Sequence, residues 1–321
     1  MSSSYRIAIL SDIHYAAAGE QARGDDYETR DIANPMARRL LRFYRDYIWL
    51  RYPLRQNHLL DRFLNEVGAV DCAVANGDYT CDSAFQGVAD DAACESVRAC
   101  LGRLRARFGD RFQATLGDHE LGKKNLRGDR GAMRLASYER AVGELGLRPL
   151  WQTDLGRWRL LGVTSSLLAF PDFSADARPE ELPRWQALRE AHLADIRAVF
   201  AALPADRRVL LFCHDPTALP YLAREPVVAA RLGQIAQTII GHLHTPLVLW
   251  KSRLLAGMPQ IHFLGHSVRR MTGALHEARH WRPFRVRLCP ALAGTELLKD
   301  GGYLTAVLGD EARFEFHPIP R

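Results

Sequence analysis

Five short clusters of aspartate and histidine, each placed just after an apolar run with strand character, constrain this chain more than anything else in it. They are Asp12-Ile13-His14, Gly77-Asp78, Gly117-Asp118-His119-Glu120, Cys213-His214-Asp215 and Gly241-His242-Leu243-His244. A loop that leaves a strand inherits the rigidity of the sheet, so strand ends are where a fold can fix a reactive side chain. Carboxylate oxygen and imidazole nitrogen are common ligands of divalent ions. Taken singly, an Asp-x-His or a Gly-Asp in such a place is usually a turn or a local hydrogen-bonded pair. Five in succession, all at the same kind of location, call for a common cause.

The strand-like runs are 5–10, 71–75, 111–116, 158–164, 208–213 and 236–240, with further candidates at 247–250, 260–264, 303–308 and 312–316. Helical periodicity fills many of the earlier gaps, at 57–67, 87–107, 130–144 and 184–202. Alternation early and strands in succession late predict an α/β protein with mixed sheets covered by helices. The Pro-containing stretches 171–183 and 283–296 read as loops rather than linkers, so 1–321 is expected to form one domain. A chain of 321 residues can bury a substantial core, and 47% hydrophobic with 25% charged residues excludes wholesale disorder.

The ordered set of clusters resembles the calcineurin-like metallophosphoesterase superfamily, whose pattern is Asp-x-His, Gly-Asp, Gly-Asn-His-(Asp/Glu), His and Gly-His-x-His. The match runs from Asp12 to His244. The resemblance implies a four-layer α/β/β/α sandwich of two mixed sheets flanked by helices, with two divalent metal ions (Mn, Fe or Zn) at the strand ends. It implies that Asp12, His14 and His244 hold one metal, that Asp118, His214 and His242 hold the other, and that Asp78 bridges them. His119 would lie beside the metals as the catalytic histidine. Two ions roughly 3.5–4 Å apart clamp phosphoryl oxygens and make hydroxide available near neutral pH from a shared water. A histidine that protonates the leaving oxygen is typically worth about 10²–10⁴ in rate. The implied activity is hydrolysis of a phosphomonoester, phosphodiester or pyrophosphate, with a small nucleotide-like or lipid-linked substrate favoured.

The sequence departs from that pattern twice. Position 118 is Asp where the family has Asn, so the site carries a third carboxylate. That is expected to hold the second metal more tightly, to make it less electrophilic, and to favour Mn or Fe. Phosphoprotein phosphatases of the superfamily have Gly-Asp-Tyr-Val-Asp-Arg-Gly, whereas this chain has Gly77-Asp78-Tyr79-Thr80-Cys81-Asp82-Ser83. The second acid comes one position late and the arginine is missing. This argues against a protein phosphatase and leaves Asp82 and Glu120 as alternatives for orienting His119. Two other classes stay open: a non-catalytic scaffold on the same fold, and a nuclease, although no arginine–aromatic face for stacking bases is evident. The pairs His262/His266 and His276/His280 have a zinc-compatible spacing without a third ligand, and read as packing or surface residues.

About sixty residues separate the first two strands, far more than one connection needs. Residues 16–56 are therefore read as an inserted, cap-like helical segment. Within it, 36–51 is amphipathic: Leu40, Leu41, Phe43, Tyr44, Tyr47 and Ile48 lie on one half, and Arg38, Arg39, Arg42, Arg45 and Asp46 on the other. Such a helix either contacts a membrane surface or an amphiphile, or packs its apolar face on its own protein with arginine facing water. The second arrangement is the commoner. The formal charge is only +6, but 38–55 carries +5 (six Arg, one Asp) and 123–134 carries +4 (five basic residues, one Asp). Lys123 and Lys124 are candidates for binding a substrate phosphate. No signal region, no apolar run near the ~18 residues that cross a bilayer and no Cys-x-x-Cys pair is present. The expected location is cytoplasmic, peripheral to a membrane if the helix docks there.

Overall fold

The computed structural model describes residues 4–122 and 132–321. In β1 (Tyr5–Leu10), Ile7 and Ile9 join one buried cluster, and Ala8 and Leu10 another. Successive strand side chains point to opposite faces, so β1 is covered on both. It lies in the middle of a sheet ordered β10-β9-β1-β2-β3, built with β2 (Cys72–Ala75), β3 (Phe112–Ala114), β9 (Gly302–Leu308) and β10 (Ala312–Pro318). The β1–β2–β3 part is parallel, and β9 and β10 add to it antiparallel.

The second sheet runs β4-β5-β6-β7-β8, from β4 (Leu150–Leu155), β5 (Trp158–Val163), β6 (Arg208–Cys213), β7 (Ile235–Ile240) and β8 (Val286–Leu288). Here β5 to β8 are parallel and β4 pairs antiparallel at the edge. Ile7, Ile9 and Val74 of one sheet meet Leu160, Leu210 and Phe212 of the other in a shared core. A second core lies under the helices, where Leu59, Phe63, Val97 and Leu101 join Leu211 and Ile196. Two mixed sheets face to face with helices outside are the four layers expected. Fully burying each such aliphatic side chain contributes roughly 1.5–3 kcal/mol.

Four expectations change. Residues 247–250 are not a strand but part of the Pro246–Leu254 helix, started by Thr245, which accepts the Leu247 N–H, and by Pro246 in the first turn. A four-residue apolar run is ambiguous between strand and helix, and the capping residue decides it here. Residues 260–264 form no strand, and the Gly265 turn leads into a helix over His266–Glu277. Strand β4 was missed, as was β8, whose three residues sit inside the stretch read as a loop.

The amphipathic helix is present as Pro35–Tyr47, capped by Asn34, which accepts the Met36 and Ala37 N–H groups. Its orientation reverses the commoner arrangement. Arg38 donates to the Ile32 carbonyl, Arg42 to Thr29 Oγ1, and Arg45 pairs with buried Glu28 at 2.5 Å. The arginines therefore tie the helix to the loop before it. Met36, Leu40, Phe43 and Tyr47, at 81, 69, 55 and 62% exposure, face outward, and the helix has no buried residue. Among the described residues, no helix is long and apolar enough to cross a membrane. The six cysteines are buried free thiols.

Candidate metal centre

All five clusters follow the C-terminal ends of parallel strands: β1, β2 and β3 in one sheet, β6 and β7 in the other. Backbone pairing continues past the strands, with Asp12 N–H donating to Gly77 O and His14 N–H to Asp78 O, both at 3.1 Å. This sets Asp78 beside the first cluster. Between the sheets, Gly241 has no room for a side chain, because a Cβ there would stand 2.0 Å from Ser11 Oγ and 2.4 Å from Asp12 Oδ2. Asp12, His14, Asp78, His242 and His244 all have positive φ, from 42° to 59°. Holding a non-glycine residue there costs of order 1–3 kcal/mol, a strain that clusters where function demands a fixed geometry.

Two groups result. Asp12, His14, Asp78 and His244 form one, and Asp118, His214 and His242 the other, the ligand atoms of each lying within 4.8 Å of one another. His14 Nδ1 donates to Thr80 O at 3.2 Å and His214 Nδ1 to Asn76 O at 2.6 Å. With that proton on Nδ1, the Nε2 lone pair of each ring is presented as a ligand. Ser11 donates to Asp12 Oδ2 at 2.6 Å, while Asp78 Oδ1 accepts the N–H groups of Asp118 and His119. In both carboxylates one oxygen is fixed and the other faces the centre.

Charge is unbalanced here. Burial pushes the Asp12 carboxyl up to about 7. Burial also opposes ionisation of Asp78, but His214 and His119 outweigh it and hold that carboxyl well below the usual range. For His214 burial is likewise outweighed, by the carboxylates of Asp78 and Asp12, and its pKa rises well above the ordinary value. Burial and neighbouring His14 keep His244 well below it. Asp12 Oδ1, 3.2 Å from His244 Nε2, is buried and makes no hydrogen bond among the described residues, and His214 Nε2 has the Asp78 carboxylate 3.1 Å away. A buried polar atom without a partner costs about 1–3 kcal/mol. Two divalent cations would supply both the missing partner and the missing charge, so this donor set fits them.

His119 lies 3.8 Å from Asp78 Oδ2, and its Nδ1 donates to Thr80 O at 3.0 Å. The hydrogen bond of this Nδ1 therefore goes to the backbone. Glu120 accepts the N–H groups of Asp78, Tyr79 and Gly117, and burial with the Asp78 charge raises it to about 8. Asp82 accepts the Gln86 and Gly87 N–H groups. The sequence left Asp82 and Glu120 open for this place, and here the Thr80 carbonyl accepts the His119 Nδ1–H.

Three further residues support the centre without a role assigned from the sequence, although Asp215 stands in one of the five clusters. Ser166, just past β5, donates to Asp118 Oδ1 at 2.7 Å. Asp215 caps the turn after His214 through the Thr217 N–H and places Oδ2 4.0 Å from His242 Nε2. Trp49 leaves the helix end and packs on the His244 ring, centroids 4.9 Å apart. The location of Ser165-Ser166 after a strand was the available clue for the first. Lys123 and Lys124 lie outside the described residues.

A cavity of about 890 Å³ opens above the centre, with His14, Asp78, Asp118, His119, His242 and His244 in its lining. Its walls include Leu41 and Tyr44 from the Pro35–Tyr47 helix, Val248 and Lys251 from Pro246–Leu254, and Arg269 and Met271 from His266–Glu277. The volume suits a small molecule rather than a folded partner.

No protein-family model matches the chain, and no curated protein does. Among solved structures, the chain is similar to a dimetal phosphatase from Danio rerio, with a TM-score of 0.51 and 15% identity over 97% of this chain and 95% of that one. It thus has the fold of that phosphatase, which is the fold the motif resemblance implied. Lower similarity links it to a phosphopantetheinyl hydrolase from Mycobacterium tuberculosis, with a TM-score of 0.40 and 15% identity over 77% of this chain and 85% of that one. A purple acid phosphatase from yellow lupin seeds scores 0.36 at 12% identity, over 76% of this chain and 38% of its own.

Proposed function

We propose that the chain is a dinuclear metal-dependent phosphoesterase of the calcineurin-like superfamily, hydrolysing a phosphoester or pyrophosphate bond. The observation that carries this is the gathering of Asp12, His14, Asp78 and His244 in one group and Asp118, His214 and His242 in another, with five of the seven lining one cavity. Bound there, two divalent ions (Mn, Fe or Zn) would supply Lewis-acid stabilisation of phosphoryl charge and lower the pKa of water. The remaining work falls to the protein. Asp78, with Oδ1 fixed by two N–H groups, offers Oδ2 to both groups. In the hydrolysis, water oxygen bonds to phosphorus, the ester P–O bond breaks, and the departing oxygen takes a proton.

In this reading His119 delivers that proton. Thr80 O keeps hydrogen on Nδ1, so the transferable proton sits on Nε2, the nitrogen on the Asp78 side. Trp49, Leu41 and Tyr44 add apolar surface to the cavity lining. The test is a parallel assay of a monoester, a diester and a pyrophosphate with Mn, Fe, Zn or Mg. Turnover of at least one, abolished by chelation, supports the reading; no turnover on any of the three moves the chain to the scaffold class.

A further inference from the structure

Of eighteen exposed large hydrophobic side chains among the described residues, fourteen fall within 36–52 and 247–271, the two segments that wall the cavity. Two more, Leu297 and Leu298, adjoin them, since Glu296 and Leu297 donate backbone hydrogen bonds to Trp49 O and Ile48 O. The pattern within each segment is ordered. Met36, Leu40, Phe43 and Tyr47 form one stripe along their helix, and Leu247, Trp250 and Leu254 form another. Phe263, at 84% exposure, stands in the connection between the second stripe and the His266–Glu277 helix. Scattered apolar residues are ordinary on a protein surface, whereas a concentration on one rim marks an interaction site.

We propose that this rim docks on an anionic lipid bilayer, and that the cavity draws an amphiphilic phosphoester from it; the second half rests on the phosphoesterase reading above. Charge selects this occupant. Residues 246–276 contain Lys251, Arg253, Arg269 and Arg270 and no acidic residue. Arg270 pairs with Asp176, whereas Lys251 and Arg269 line the cavity and make no ion pair among the described residues. A face that is apolar, basic and supplied with Tyr47 and Trp250 suits the headgroup boundary, where aromatic rings and cations both gain. Two copies meeting through the same face would oppose these cations. Apolar side chains also line the cavity, among them Leu41, Tyr44, Trp49, Val248 and Met271, and Trp49 packs on the His244 ring. These side chains would receive an acyl chain, with its phosphoester at the metal centre.

The test is co-sedimentation of the full chain with phosphatidylcholine vesicles, with and without phosphatidylglycerol, for wild type, Leu40→Glu with Phe43→Glu, Trp250→Glu, and Val307→Glu as an exposed site outside the rim. The proposal expects wild type and Val307→Glu to bind the anionic vesicles, and the rim variants to lose about tenfold in partitioning. No wild-type binding, equal binding by all variants, or a wild-type dimer that Leu40→Glu with Phe43→Glu dissociates would overturn it. Wild-type hydrolysis of water-soluble bis(p-nitrophenyl) phosphate is measured alongside. Its absence with vesicle binding intact sinks the phosphoesterase reading and leaves the docking face standing. Faster turnover of the soluble ester than of a vesicle-borne acylated one overturns the substrate class alone.

Discussion

Ser166 Oγ donates a 2.7 Å hydrogen bond to Asp118 Oδ1, while Asp118 Oδ2 lies 2.8 Å from His242 Nδ1. The pair explains how an aspartate stands where the related motif has asparagine. An asparagine amide brings its own N–H donors, whereas a carboxylate only accepts, so its second oxygen needs a donor when buried. Ser166 is that donor.

Ser166→Ala should therefore weaken metal binding at Asp118, His214 and His242 by about 10–100-fold, the usual effect of losing a group that orients a ligand. In an Asp118→Asn background the same change should matter much less, because the amide does not require the hydroxyl proton. Calorimetric metal titration of the four proteins checks this. Equal losses in both backgrounds would mean that Ser166 acts by packing alone.

His119→Ala should lower kcat by about 10²–10⁴ through loss of proton transfer. Metal content should stay at the wild-type level, since His119 falls in neither ligand group. Elemental analysis beside steady-state kinetics separates the roles; a variant that purifies without metal would make His119 a ligand.

Gly241→Ala tests the close approach of the two sheets. Its Cβ would meet Ser11 Oγ at 2.0 Å and Asp12 Oδ2 at 2.4 Å, so Asp12 must move. The expected result is a stability loss of about 1–3 kcal/mol by denaturant unfolding, with weaker metal binding. Unchanged stability and metal affinity would show that the gap between the sheets opens freely.

His192, buried in the Leu182–Ala201 helix, accepts the Thr164 N–H through Nε2, and burial lowers its pKa from 6.5 to about 3. The unfolded chain takes up this proton as pH falls below 6.5, and the folded chain does so only near 3. Its contribution is complete above that window and is lost as pH falls through it, by up to about 1.4 kcal/mol per pH unit. His192→Gln keeps an acceptor and cannot titrate, so its acid unfolding limb should be shallower than that of wild type. Parallel limbs would contradict the assignment.

The meeting of these Asp and His side chains was legible because it depends on local order: a strand, a turn, and an Asp or His at a fixed offset. The alternation of Ile7, Ala8, Ile9 and Leu10 likewise carried β1 and its burial. What stayed hidden depends on contacts remote in sequence. Ser166 stands 48 residues from the carboxylate it supports. The partner of His119 is the Thr80 carbonyl 39 residues away, and a backbone group leaves no mark on residue choice. The Pro35–Tyr47 helix was found by its period, but periodicity does not say which face meets the protein. The carboxylates at Asp26 and Glu28 decided that by binding Arg42 and Arg45.

Metal stoichiometry coupled to turnover tests the central claim most directly. The purified chain, its chelated and reconstituted forms, and Asp78→Asn are analysed for bound metal and assayed on the best of the three ester classes. The account predicts two divalent ions per wild-type chain, activity that leaves with the metal and returns with it, and loss of both in Asp78→Asn. A metal-free chain that turns over at the wild-type rate, or a fully loaded one that hydrolyses none of the esters, would contradict it.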